Sequence, residues 1–215
     1  MNIIQIYQKY QNMPQQITHQ LKVAAVASLI IKNFEGKIDK EDIIKACLLH
    51  DLGNIVKFDF NYTKEFMPEL VDPAALSRWE EIQRQYREKY GRSSHEATIK
   101  MLKELGIDGR VRELVDWVGF SQAEDNAATD DFNRKVCAYS DMRVEPNGVV
   151  SLEERFMGLR HRYQGHKEGE GARQVFEKAL RRIEEQIFER CRIKPEDVTE
   201  QAIAPLMEDL KDFEI

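Results

Sequence analysis

The stretch Leu48-Leu49-His50-Asp51-Leu52-Gly53-Asn54 places a histidine and an aspartate side by side at the end of an apolar segment. Burying such polar side chains without partners costs about 2 kcal/mol or more. A divalent metal ion would satisfy both, because imidazole nitrogens and carboxylate oxygens are ordinary ligands of one ion. The pair therefore predicts a metal site whose remaining ligands come from elsewhere in the chain.

The chain has 215 residues, a length that fits one large domain or one domain with an appended helical segment. Apolar residues make up 42% of it, enough for a substantial core, and no apolar run approaches the roughly 20 residues of a spanning helix. The N-terminus has no basic region followed by an apolar core, so no signal peptide is expected. A cytoplasmic protein without a membrane partner is predicted.

Charge and cysteine content narrow the class of protein further. The three cysteines form no CxxC pair, which indicates reduced thiols and no disulfide framework. The formal net charge of −6 argues against nucleic acid as a partner. A small phosphorylated ligand, held in a local positive pocket, remains compatible with this charge. A homodimer is left open.

Apolar residues recur every three or four positions and Gly or Pro falls between these blocks, so the chain is predicted to be nearly all helical. Asp39 is expected to be an N-cap. The polar, acidic segment 121–131 is predicted to be a loop. The predicted helices are 3–12, 18–33, 40–52, 73–90, 95–105, 108–118, 132–142, 152–163, 172–191 and 200–210.

Two further candidate ligands lie at the ends of apolar helical segments, as the His50-Asp51 pair does. His19 opens one such segment in Thr18-His19-Gln20-Leu21-Lys22-Val23-Ala24. Asp141 closes another in Tyr139-Ser140-Asp141-Met142-Arg143. Three helix ends that converge on one ion would explain why polar side chains stand beside these buried faces.

The order His19, His50-Asp51, Asp141 resembles the H…HD…D pattern of the HD-domain phosphohydrolase family, and the flanking residues are similar to that family's motifs. The resemblance covers roughly residues 15–145. It implies an all-α, HD-domain-like helical bundle with additional C-terminal helices. We expect the helical core to span residues 1–165 and the extension, packed on that core, to span 166–215.

The resemblance also implies a chemistry. We expect a metal-dependent phosphohydrolase that acts on a small, nucleotide-like phosphoester by attack of a metal-activated water. The ligands would be His19, His50, Asp51 and Asp141, with Asp51 also orienting the water. This ligand set suits one divalent ion among Mn, Fe, Co, Ni, Zn and Mg.

Two positions differ from family members that carry additional metal-binding or acid–base residues. His95 matches an extra histidine of two-metal members, but Val118 stands near where the other would fall, so one metal is expected and His95 becomes a phosphate contact or proton donor. Asn54 replaces a carboxylate of some members; its amide can position water or substrate but cannot transfer a proton. These departures favour the alternative of a non-catalytic HD module that binds a nucleotide or a partner protein.

A phosphorylated substrate needs cations, and the candidates are Lys22, one helical turn after His19, together with Arg143 and Arg92. The aromatic stretch 58–66 is expected to pack in the core, with base stacking or a lid as the alternative. A second rival is a structural helical protein whose His-Asp pair is only hydrogen-bonded.

Overall fold

The computed structural model describes residues 1–61, 72–162 and 170–215, and within them it is an all-α protein with one small hairpin. The hairpin pairs β1 (Val144–Glu145) with β2 (Gly148–Val149) in antiparallel register, with Val144 opposite Val149. The helices are α1 (Ile3–Lys9), α2 (Pro14–Asn33), α3 (Lys40–Leu49), α4 (Leu76–Tyr90), α5 (Ser94–Glu104), α6 (Gly109–Asp116), α7 (Ala123–Ala128), α8 (Phe132–Met142), α9 (Leu152–Arg162), α10 (Glu170–Phe188) and α11 (Glu200–Leu210).

Helix α2 is the centre of the bundle, and it packs against α3, α8 and α11. Pro14 occupies its first turn, where the missing backbone N–H is not needed. The run from Val23 to Ala27 is fully buried, and the small side chains of its alanines let neighbouring helices approach on several sides. An apolar helix enclosed on most of its faces is stabilised by this burial rather than by its ends.

Helix α3 packs against α6 and α8, so α2, α3 and α8 contact one another. Asp39 stands at the N-cap position of α3, but its side chain makes no capping hydrogen bond. Its carboxylate instead accepts from Asn133 Nδ2 at 2.8 Å, and its backbone N–H donates to Asn133 Oδ1 at 3.0 Å. The predicted cap is therefore a link between α3 and α8.

The segment predicted as a loop, 121–131, contains helix α7. Ala123 and Ala127 are buried, and α7 packs against α10. The Asn126 amide is buried as well and donates to the Trp117 carbonyl at 2.8 Å. Small alanines between acidic residues carry little hydrophobic periodicity, so the helix depends on a tertiary contact that local sequence does not report.

The C-terminal helices pack on the bundle, α10 on α7 and α8, and α11 on α2. Between them lies a short 3-10 turn (Pro195–Asp197). The predicted boundary at residues 165 and 166, the predicted end of a helix at 163 and part of the aromatic stretch (Tyr62 and Phe66) lie outside the described residues. Across the described ranges, none of the helices combines the length and apolarity needed to span a membrane.

Candidate metal centre

Side chains of His19, His50 and Asp141 converge where α2, α3 and α8 meet, and their potential ligand atoms all lie within 4.8 Å of one another. Asp141 Oδ1 lies 3.1 Å from His19 Nε2 and 3.3 Å from His50 Nε2. His19 comes from the second turn of α2, His50 directly follows α3, and Asp141 lies in the last turn of α8. The structure thus brings together three of the four ligands predicted from sequence.

His50 is oriented by the helix that precedes it. Its Nδ1 lies 2.8 Å from the Cys47 carbonyl oxygen, which accepts a hydrogen bond from the protonated nitrogen. His50 is only 8% exposed, and its Nε2 is a buried atom without a hydrogen-bond partner among the described residues. A metal-ligating histidine commonly has its other ring nitrogen fixed in this way. The orphaned Nε2 faces the site, so the residues present fit a bound cation.

The electrostatics of the centre favour a positive charge between the side chains. Burial alone would lower the pKa of His50, but the carboxylates of Asp51 and Asp141 together raise it to about 9. Burial alone would raise the pKa of Asp141, yet the neighbouring imidazoles of His19 and His50 hold it well below its usual range. A metal ion can supply the positive charge that these carboxylates stabilise.

Asp51 lies beside the three-residue cluster rather than within it. Its Oδ2 is 4.0 Å from His19 Nε2 and 3.9 Å from His50 Nε2. The Asn54 amide donates to the same oxygen at 2.8 Å, which fixes the orientation of the carboxylate. The predicted fourth ligand is therefore near the centre, and Asn54 holds it there.

Gly53 allows α5 to approach the His50-Asp51 turn closely. A Cβ atom at Gly53 would lie 2.6 Å from the backbone nitrogen of Thr98, a distance that real structures do not tolerate. The Gly53 N–H donates to Thr98 Oγ1 at 3.0 Å. This contact brings the first turn of α5, which carries His95, to the cavity beside the metal centre.

His95 lines that cavity, and its side chain is 56% exposed. Its Nε2 lies 3.0 Å from Asp116 Oδ1, at the end of α6. Val118, near the position where two-metal members of the family would carry their other extra histidine, lines the same cavity. Among the described residues, this side of the cavity therefore has one imidazole, that of His95, and an apolar side chain, that of Val118.

A cavity of about 580 Å³ opens over the centre. Its lining combines the metal-site residues with cations and with an apolar wall. The cations are Lys22, Lys57 and Arg155, and the apolar side chains are Phe58, Val115, Val118, Phe120, Val144 and Leu159. A pocket of this size and mixed polarity is typical of sites for small molecules.

Of the three cations predicted to bind substrate, Lys22 alone lines this cavity. Arg143 is a correction: it is 3% exposed and donates to the carbonyl oxygens of Pro195 and Val198, 3.2 Å and 3.0 Å away. Arg92 is exposed and belongs to a separate surface depression beside α4. Arg143 is close in sequence to Asp141, and Arg92 to His95. Neither guanidinium reaches the centre, because each side chain points away from it.

Sequence reasoning missed Arg155, whose side chain is 9% exposed and lines the cavity. Its Nη1 lies 3.1 Å from Glu145 Oε1. The signal was weak, because Arg155 lies among other charged residues in the amphipathic α9 and far in sequence from the ligands. Only the packing of α9 beside the hairpin distinguishes it from neighbouring surface arginines.

The aromatic stretch divides between the two roles considered for it. Phe60 is 6% exposed and packs in the core, with its ring centroid 5.0 Å from that of Phe58. Phe58 lines the cavity close to Lys57. The part of the stretch that the structure describes therefore belongs partly to the core and partly to the wall of the site.

Comparison with known families agrees with this geometry. The family model of the HD domain matches residues 17–126, about half of the chain. The matched range contains His19, His50 and Asp51, whereas Asp141 lies beyond it and reaches the centre through the packing of α8. Neither the curated proteins nor the solved structures provided a match. The chain belongs to the HD domain family, and its all-α fold is the one that this family has.

Proposed function

We propose that this protein is a metal-dependent phosphohydrolase that cleaves a small, nucleotide-like phosphoester. A single observation carries the proposal: the buried, unpartnered Nε2 of His50 faces His19 and Asp141 at the base of a 580 Å³ cavity. A buried polar atom without a partner is costly, and an ion removes that cost. Family membership agrees with the hydrolytic assignment.

Four residues would hold the metal: His19, His50, Asp141 and, from its adjacent position, Asp51. When bound, a divalent ion supplies a water of lowered pKa and polarises a phosphoryl oxygen. Among the candidates, Mn, Fe, Co, Ni, Zn and Mg all accept this set of imidazole and carboxylate ligands. Asp51 orients the attacking water and accepts its proton, and Asn54 keeps the carboxylate in place through the 2.8 Å hydrogen bond.

The leaving group needs a proton, and His95 is the candidate donor. Its imidazole lines the cavity and pairs with Asp116 at 3.0 Å. This carboxylate partner fixes the orientation of the ring, as in other histidine–carboxylate pairs that act as acids or bases. In this proposal, the protonated ring transfers its proton to the leaving-group oxygen as the phosphorus–oxygen bond breaks.

Lys22 and Lys57 support phosphate binding. Lys22 lines the cavity one turn after His19, where Glu200 holds its ammonium group, and Lys57 lines the same cavity. The wall formed by Phe58, Val118 and Phe120 gives the rest of the substrate an apolar surface. A base-like or other flat apolar group would be accommodated there, which supports a nucleotide-like substrate.

Elemental analysis of the purified protein tests the proposal, with His50→Ala as the variant. We expect about one divalent metal per chain in the parent and little in the variant, after incubation with Mn²⁺, Co²⁺, Ni²⁺ or Mg²⁺. His161→Ala is the matched control, because His161 is an exposed residue of α9 outside the cavity lining. Turnover of phosphoester substrates should follow the metal content of the three proteins. Equal metal in all three would remove the proposed mechanism.

A second candidate is a non-catalytic HD module that binds a nucleotide or a partner protein. It is favoured by Asn54, which is tied to Asp51 and cannot transfer a proton, and by Val118 in the cavity wall. Stoichiometric nucleotide binding by the metal-loaded protein, without release of phosphate over hours, would establish it in place of the hydrolase.

A further inference from the structure

Four charged side chains surround the β-hairpin at the edge of the cavity, and we refer to Lys22, Glu145, Arg155 and Glu200 as the charged quartet. Lys22 Nζ lies 2.5 Å from Glu200 Oε1, and Arg155 Nη1 lies 3.1 Å from Glu145 Oε1. Glu145 stands opposite Gly148 in the hairpin. Each cation of the quartet is thus matched by one carboxylate.

The pair of Glu145 and Arg155 sits in a space left by Gly158. A Cβ atom at that position of α9 would lie 2.9 Å from Glu145 Oε1, so a larger residue would displace the carboxylate. Arg155 is nine-tenths buried, and its Nε has no hydrogen-bond partner among the described residues. The charge of this guanidinium in the cavity wall is nevertheless matched by the Glu145 carboxylate.

The second pair connects the C-terminal segment with the cavity. Glu200, in the first turn of α11, holds Lys22 with one carboxylate oxygen and accepts the Val149 N–H at 3.0 Å with the other. Lys22 is mostly buried, whereas Glu200 is 51% exposed on its outer side. Glu200 therefore determines where the Lys22 ammonium group lies. Glu200 itself is outside the range matched by the family model.

The quartet limits the positive charge available to a ligand. The described lining of the cavity holds three cations (Lys22, Lys57 and Arg155) and three carboxylates (Asp51, Asp141 and Glu145). Glu200, which pairs with Lys22 at the edge of the cavity, adds a fourth carboxylate. With neutral imidazoles the formal charge of these groups is therefore 3 − 4 = −1, and a divalent metal brings it to about +1. A phosphomonoester carries about −1.5 to −2 at neutral pH, so one such group already uses all of this positive charge. A second phosphoryl group would make the site net negative, because the charges of Lys22 and Arg155 are already matched by Glu200 and Glu145.

We propose that the charged quartet makes this cavity selective for a substrate with a single phosphoryl group on an uncharged body, and that it rejects a second anionic group. Glu200 and Glu145 are positioning residues that act through Lys22 and Arg155. The inference rests on the proposed function, because it specifies the substrate class of the same site. The apolar part of the lining, including Val115, Val118 and Phe120, suits the uncharged body of that substrate.

Calorimetric titration of the metal-loaded protein with two non-hydrolysable probes tests the selectivity. Phenylphosphonate and 1,4-phenylenediphosphonate share one ring and differ by a second anionic group, which is too distant from the first to chelate a single ion. We expect the parent to bind phenylphosphonate about tenfold more tightly or better. In Glu200→Gln, which loses the charge but keeps the shape, the preference should shrink by about tenfold because the Lys22 charge is released.

Glu208→Gln is the matched control, since Glu208 lies on the same helix and pairs with Lys211 on the exposed surface. It should retain the parental preference. Glu145→Gln is a second variant that should act like Glu200→Gln, and circular dichroism verifies the fold of each protein. A parent that binds the diphosphonate as tightly, or a folded Glu200→Gln with unchanged preference, overturns the inference while leaving hydrolysis in place. If neither probe binds the parent, the proposed function fails together with it.

Discussion

At the scale of single residues, the centre depends on which atoms lack partners. Nδ1 of His50 is bound to the Cys47 carbonyl, so its Nε2 alone is available to a ligand. The pKa of His50 is raised to about 9 because Asp51 and Asp141 outweigh the effect of burial. The carboxylates that favour a proton on His50 also favour a metal ion beside it. An adjacent histidine and aspartate in the sequence therefore indicate metal binding.

Asn54 acts on the centre through Asp51, and its removal should be measurable. Asn54→Ala leaves Asp51 Oδ2 without its 2.8 Å donor, so the carboxylate can rotate away from the imidazoles. We expect metal affinity or turnover to fall by about 10-fold to 100-fold, as for other residues that orient metal ligands. Metal titration followed by calorimetry measures the affinity. Asn61→Ala, at an exposed position, serves as the control; a matching loss there would contradict the assigned role.

At the scale of elements, the centre exists because three helices meet with their polar ends together. The small residues of α2 permit the close packing, and Gly53 permits the approach of α5. Hydrophobic periodicity alone would interpret the polar residues at the ends of α2, α3 and α8 as ordinary helix termini. Element packing therefore turns separate end positions into one centre.

Gly53→Ala should disturb this packing, since its Cβ would fall 2.6 Å from the Thr98 nitrogen and 2.8 Å from the Ala97 Cβ. Backbone atoms must shift to accommodate it, and we expect a loss of about 1–3 kcal/mol in the free energy of unfolding. Urea denaturation measures the change. Gly171→Ala is the control: its added Cβ has open space in the first turn of α10, so this substitution should be neutral or slightly stabilising. Equal stability of the two variants would argue against the close approach.

At the scale of the whole molecule, the C-terminal segment is joined to the helix that carries Asp141. Arg143 lies two residues after Asp141 and is buried, and it donates to Pro195 and Val198 across the chain. Its Nη1 also donates to the Tyr139 hydroxyl, which in turn donates to Glu184 at 2.6 Å. These bonds couple α8, α10 and the segment before α11.

Removing this link should be costly. Arg143→Leu leaves buried carbonyl oxygens without donors, and we expect the protein to lose about 3 kcal/mol of stability or more. Differential scanning calorimetry should show a lower Tm and a smaller increase on metal addition, because Asp141 is less well held. Arg192→Leu removes a single hydrogen bond from exposed Arg192 to the Lys32 carbonyl and should stay within about 0.5 kcal/mol of the parent. A loss at Arg192 as large as that at Arg143 would refute the buried link.

Much of the fold could be predicted from the pattern of apolar residues, because that pattern reflects which face of each helix is buried. Most helices begin and end within a few residues of the predicted positions, and Gly91 ends α4 with the positive φ of +95° that glycine tolerates. Helix α7 was missed because its stability comes from packing on α10. The local sequence indicates where a helix forms, but it does not indicate which other helices that helix packs against.

From sequence alone, residue chemistry at helix ends indicated that His19, His50 and Asp141 converge on one ion, and the resemblance to the HD-domain family implied the type of centre. Only the tertiary structure decided which cations face the cavity: Arg155 lines it, Arg143 binds backbone carbonyls and Arg92 lies elsewhere. The physical reason is that histidine and aspartate rarely stand beside buried apolar helix faces, so the few that do can be recognised in the sequence. Arginines are common on helix surfaces, and long-range packing alone determines which of them is buried against the site.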